Sequence, residues 1–75
     1  MNKVRVECYA GYRGQQRPVR FTLGEHVHEV RNVEDQWYSP DAMYFRIQAD
    51  DGNIYVLRHN ETEDDWTLEG FRAPR

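Results

Sequence analysis

His26 and His28 stand two residues apart, and on an extended strand that spacing turns both imidazoles to one face, as two ligands of a metal ion require. A third ligand must come from elsewhere. Cys8 and His59 are the remaining soft donors, and no second pair with metal-ligand spacing accompanies them. Half-buried or surface histidines on a strand explain the pair without an ion, so no metal and no cofactor is expected, with His26 and His28 as the weak candidates.

Cys8 as a nucleophile needs a neighbouring base and a lowered pKa. It shares the alternation phase of Val4 and Val6, which predicts a buried, inert thiol instead. Glu61, Glu63, Asp64 and Asp65 fall together in a polar stretch where charge solvates a connection, and no carboxylate pair stands out for acid–base work. Asp50, Asp51 and Asn53 around Gly52 resemble part of a calcium loop but lack its closing bidentate glutamate, and a hairpin turn accounts for them. Gly11 and Gly14 form no phosphate-binding pattern. The Asn60-Glu61-Thr62 sequon has meaning only in a secreted chain. No catalytic residue is assigned and no enzymatic activity is expected. A small sheet also leaves little room for a pocket of ~300 Å³ or more.

The stronger constellation is basic and aromatic. Arg5 and Tyr9 share the outward phase of a first strand, Arg20 is outward on a second, Tyr44 and Arg46 are outward on a fourth, and Arg13 and Arg17 flank the first hairpin. Sheets that bind single-stranded nucleic acid stack bases on such rings and meet phosphates with such guanidinium groups. The same residues also make favourable cross-strand pairs on any antiparallel sheet. A pI near 5.5 runs against the basic footprint of nucleic-acid binders.

The elements that must position these residues follow from period-two alternation broken by polar turns. Val4, Val6, Cys8 and Ala10 alternate with Arg5, Glu7 and Tyr9 in a strand running to about Tyr12, and Gly14-Gln15-Gln16 makes a hairpin connection. Val19, Phe21 and Leu23 then alternate with Arg20 and Thr22, with Pro18 at the strand's start or on an edge. After the turn at Gly24-Glu25, a third strand spans His26 to about Val33, with a bulge because Val27 and Val33 fall out of phase with His28 and Val30. Trp37 closes that segment as a core anchor, and Tyr38-Ser39-Pro40-Asp41 is read as a loop. Phe45, Ile47 and Ala49 mark the fourth strand, and Asp50 to Asn53 is the strongest turn signal in the chain. Ile54 to Arg58 returns as the fifth strand, in an apolar run suited to cover on both sides. His59 to Asp65 is an acidic connection, and Trp66, Leu68 and Phe71 carry the sixth strand toward Ala73-Pro74-Arg75.

The fold class is therefore all-β: about six short antiparallel strands in a meander, as a strongly twisted sheet or a small, partly closed barrel. The 75 residues have room for one domain, and aromatics at 13% bring too much large apolar surface for a disordered chain. A lone cysteine, the absence of a signal-like opening and a longest apolar run of Ile54 to Leu57 predict a cytoplasmic chain that does not enter a membrane. Net charge is −3 but uneven: Met1 to Leu23 holds five basic residues against Glu7 alone, a surplus of four, which leaves the other 52 residues at −7. Such asymmetry marks a partner-facing surface or brings opposite charges together across neighbouring strands, and the second is the safer expectation.

Arg17-Pro18-Val19-Arg20-Phe21, Gly24, Val30, Val33, Trp37, Phe45-Arg46-Ile47, Asp51-Gly52-Asn53-Ile54-Tyr55-Val56-Leu57-Arg58 and Trp66-Thr67-Leu68 together resemble a small uncharacterised bacterial all-β domain family. The resemblance spans Arg17 to Leu68 and rests on core and turn residues, so it implies a fold and not a reaction. Some members lie beside or fused to Y-family DNA polymerases, which implies an accessory role in DNA damage tolerance. Three expectations result: an interaction module with a protein partner, using the arginine and aromatic set or an open strand edge; an accessory nucleic-acid-binding domain using Arg5, Arg13, Arg17 and Arg20 with Tyr9 or Tyr44; and a metal-binding protein at His26 and His28.

Overall fold

The computed structural model describes residues 2–10 and 16–72. Seven hydrogen-bonded strands follow one another: β1 (Asn2–Lys3), β2 (Arg5–Ala10), β3 (Gln16–Leu23), β4 (His26–Ser39), β5 (Ala42–Ala49), β6 (Ile54–Asn60) and β7 (Asp65–Arg72). Every neighbouring pair is antiparallel, in the order β1-β7-β6-β5-β4-β3-β2. β1 and β2 are one run of chain broken at Val4, so the path is a six-stranded meander as the alternation predicts. No helix occurs among the described residues, and none is long and apolar enough to cross a membrane.

The sheet curls until its two ends meet. β1 pairs Asn2 with Leu68 and Lys3 with Thr67, and the Val4 amide donates to the Trp66 carbonyl at 3.0 Å. Beyond Val4 the chain leaves β7 to run beside β3, which makes a partly closed barrel whose seam is joined over a few residues only. β4 turns the other corner. It pairs with β3 as far as Glu29 and with β5 from Val30 onward, and bulged residues Arg31 and Glu34 bend it between the two.

Phe21, Phe45, Ile47, Ala49 and Leu57 are fully buried inside the curl, with Val4, Tyr55 and Trp66 closing over them. β5 and β6 show the expected alternation most cleanly because their ladder runs without a register shift from Met43 opposite His59 to Gln48 opposite Ile54. Gly24 takes φ 58 at the first position of the two-residue β3–β4 turn, where a type II′ hairpin needs glycine. Gly52 takes φ 86 in the β5–β6 turn, whose Asx bond runs from the Asn53 amide to Asp51 Oδ1 at 2.9 Å.

Five expectations change. Val19 does not face the core: it is the extra residue of a bulge where the register slips between Glu7 and Cys8 and is 39% exposed, while Pro18, opposite Cys8, lies on the stretch of β3 that β4 does not pair, an edge position as expected. β4 continues through Tyr38 and Ser39, because two bulges absorb the misfit that alternation alone read as a strand end. Trp37 is not a core anchor: the phase of Val33 points it inward, and the bulge at Glu34 flips it out. His59 and Asn60 belong to β6, not to the acidic connection. Ile54 and Val56 are only half-buried, so β6 is covered on one face. The glycine-bounded tip of the first hairpin, Arg13 within it, and the Ala73–Arg75 end lie outside the described residues.

Candidate functional site

On β5, Phe45 is 1% exposed and points inward, so its neighbour Tyr44 points out. Tyr44 stands directly opposite Trp37 on β4 and Arg58 on β6, which places Trp37, Tyr44 and Arg58 in one outward row across three strands. The two rings stack with centroids 5.4 Å apart and planes 2° from parallel. Arg58 is held beside them: Nη2 donates to Asp41 Oδ2 at 3.3 Å, and the Tyr44 hydroxyl and Asp41 together hold the guanidinium in its charged form. Trp37 remains 39% exposed and Tyr38, which follows it, 68% exposed. Along this stretch the β4 edge away from β5 has no strand beside it among the described residues, since β3 parts from β4 at Glu29.

A second row crosses β2, β3 and β4: Glu7, Arg20 and Glu29 are direct cross-strand neighbours. Arg20 Nη1 meets Glu7 Oε1 at 3.0 Å, while its Nε and Nη2 each reach Glu29 Oε1 at 3.1 Å. The hydrogen bond and charge of Glu29, with Glu7, push the guanidinium further toward its protonated form. Here the uneven charge of the sequence resolves into pairs across strands. Arg46, the arginine of the fourth predicted strand, lies between Glu34 at 3.7 Å and Asp35 at 3.8 Å.

The basic and aromatic set is therefore divided between two regions of the one sheet. Arg5, Tyr9, Arg17 and Arg20 lie on β2 and β3, and Tyr44 and Arg46 on β5. Tyr9 and Arg17 are exposed cross-strand partners, and neither Arg5 nor Arg17 makes an ion pair among the described residues. Trp37 and Arg58 were missed by sequence reasoning. The signal for Arg58 was its alternation with the core residue Leu57.

His26 is exposed at the start of β4, whereas His28 turns into the molecule and stacks on Phe21 at 5.2 Å. The two do not converge with Cys8 or His59. His59, 8% exposed, lies flat on Trp66 with centroids 4.3 Å apart, and its Nε2 is 2.9 Å from Asp64 Oδ1. The alternation of Tyr55 and Leu57 carries on to His59, and following it two residues further would have found this buried imidazole.

Where the seam opens, a groove of about 340 Å³ separates Arg5 and Cys8 of β2 from Asp64 and Trp66 at the β6–β7 turn. Room that the chain length argued against arises from incomplete closure of the barrel. Burial, and then the charge of Asp64, push the Cys8 thiol above its ordinary value, which keeps it protonated and unreactive.

Comparison with protein-family models, with curated proteins and with solved structures found no match. The resemblance to a bacterial domain family rests on the residues quoted for it alone.

Proposed function

We propose that this chain is a cytoplasmic, non-enzymatic interaction module that binds an extended, neutral or basic segment of another protein along the second half of β4. The observation that carries this reading is the outward Trp37, Tyr44 and Arg58 row beside a strand edge that has no partner strand among the described residues. Edge strands are normally guarded by bulges and charges, and Arg31, Glu34 and Asp35 guard the first part of this one. Gln36 to Ser39 carries neither a bulge nor a charge, and although the Gln36 amide already donates to Asp35 Oδ1 at 2.9 Å, no strand pairs with the outer edge of this stretch among the described residues, which leaves it available for strand addition. Tryptophan, tyrosine and arginine are the side chains that dominate binding energy at protein interfaces, through large rigid contact area and planar hydrogen bonding. Glu34, Asp35 and Asp41 around the row favour a partner without excess negative charge.

A nucleic-acid reading keeps a smaller foothold at Arg5, Tyr9 and Arg17. Arg20 and Arg46 do not serve it well, since a phosphate would have to displace two carboxylates from each. Backbone amide NMR separates the two readings. The folded protein is titrated with a panel of extended peptides, and with single-stranded and duplex oligonucleotides at low and moderate salt. The proposal expects peptide-induced shifts centred on Gln36 to Ser39 and Tyr44, and none with oligonucleotides. Shifts at Arg5, Tyr9 and Arg17 that appear with oligonucleotides and vanish as salt rises would replace it with the nucleic-acid reading.

A further inference from the structure

The geometry points to a binding site for a divalent transition-metal ion, best matched by Zn²⁺, formed by His28, Asp50 and Asp51. These residues come from β4 and from the β5–β6 turn, far apart in sequence, and their donor atoms lie within 4.8 Å of one another. The turn is fastened to β4 by the Asp50 amide, which donates to the Glu29 carbonyl at 2.9 Å. His28 Nδ1 then stands 3.5 Å from Asp50 Oδ1 and 3.6 Å from Asp51 Oδ2.

Those separations are too long for good N–H···O hydrogen bonds, which peak near ~2.9 Å. They match the spacing of ligands around an ion, because zinc bonds of ~2.0–2.2 Å in a tetrahedral shell put neighbouring donors about 3.4 Å apart. The imidazole is held in its pose by Phe21 at 5.2 Å and Tyr55 at 5.4 Å, so the gap is set by packing and not by a hydrogen bond.

Asp51 is oriented as metal carboxylates are. Tyr55 donates its hydroxyl to Oδ2 at 2.7 Å, and the Asn53 amide nitrogen donates to Oδ1 at 2.9 Å. The Asn53 side chain also donates to Oδ2 at 3.0 Å, and an entering cation would take over that lone pair. Three protein ligands beside exposed carboxylates leave a fourth position for water. One imidazole with two carboxylates suits zinc; calcium, which takes 6–8 oxygens, is poorly served by so small a set. The exposed His26 is no part of the site.

The test is calorimetric titration of chelator-treated protein with ZnCl₂ at neutral pH, alongside thermal melting with and without the ion. One equivalent should bind with micromolar or tighter affinity and raise Tm. Asp50→Asn, an exposed change that leaves the core intact, should weaken binding at least tenfold and abolish the rise in Tm, as should His28→Gln; His26→Gln should change neither. Absence of saturable binding below millimolar zinc would overturn the proposal. So would binding that survives Asp50→Asn unchanged or is lost in His26→Gln.

Discussion

Two rows of three side chains cross the outer surface of this barrel, and their strands use them oppositely. On β2, β3 and β4 the row is Glu7, Arg20 and Glu29, a cation between two anions that satisfy it. On β4, β5 and β6 the row is Trp37, Tyr44 and Arg58, where rings stack on each other and face outward. In the sequence their central residues, Arg20 and Tyr44, look alike, each an arginine or aromatic in the outward phase of a strand. Register separates them. Whether an outward arginine meets a carboxylate or a ring depends on which residue of the next strand stands opposite, and bulges at Val19, Arg31 and Glu34 decide that. A surface already paired within the chain has little to gain from a partner; stacked rings beside an open edge still have apolar area to bury.

Removing a ring from the core that both rows enclose only in part has a larger effect than any change on the surface, and Trp66 is such a core ring. Trp66 packs on Phe45 at 5.6 Å and on His59, and Trp66→Ala should cost about 3–5 kcal/mol, enough to unfold a domain of this size in urea titrations. Retained stability with loss of a binding activity would instead make Trp66 a contact residue. Next comes the turn that sets Arg20 opposite Glu29. Gly24→Ala should destabilise by about 1 kcal/mol, purely from its left-handed backbone, since no atom lies near the added methyl. Gly70→Ala, whose Cβ would meet Val56 Cγ2 at 3.5 Å in ordinary contact, should be neutral or stabilising by less than about 1 kcal/mol. Equal losses at the two glycines would contradict this account of the turn. Smallest in energy is a test of reactivity on β2. Because the folded Cys8 thiol ionises above its ordinary value, alkylation at pH 8 should be slower than for a free cysteine and should recover in denaturant. The stability this shift contributes is present below the unfolded pKa and disappears as pH rises through the folded one.

The alternation of β2, β5 and β6 was legible in the residues because those strands keep their phase along most of their length. Val6 and Cys8 turn inward on β2, Phe45 and Ile47 on β5, and Tyr55 and Leu57 on β6. The turns at Gly24 and Gly52 were legible because positive φ selects glycine. β4 was not, since two inserted residues reset its phase twice within five positions and made one strand of 14 residues look like a short strand followed by a loop. The surface was read only in part for the same reason: outward phase is a local property, but the identity of the cross-strand neighbour is not. Arg20 had an evident direction and no evident partner. Trp37 reads as inward on bulk and on the phase of Val33, whereas its place across from Tyr44 depends on both bulges.

The most direct measurement compares three proteins against one peptide, selected from a displayed random library on the folded domain. Trp37→Ala should weaken its binding at least tenfold while costing about 1 kcal/mol of stability, as expected for a half-exposed stacked ring. The double variant Arg5→Ala/Arg17→Ala should bind as the parent does. Unchanged affinity in Trp37→Ala together with loss in the arginine variant would place the binding surface on β2 and β3 and contradict the assignment made to β4.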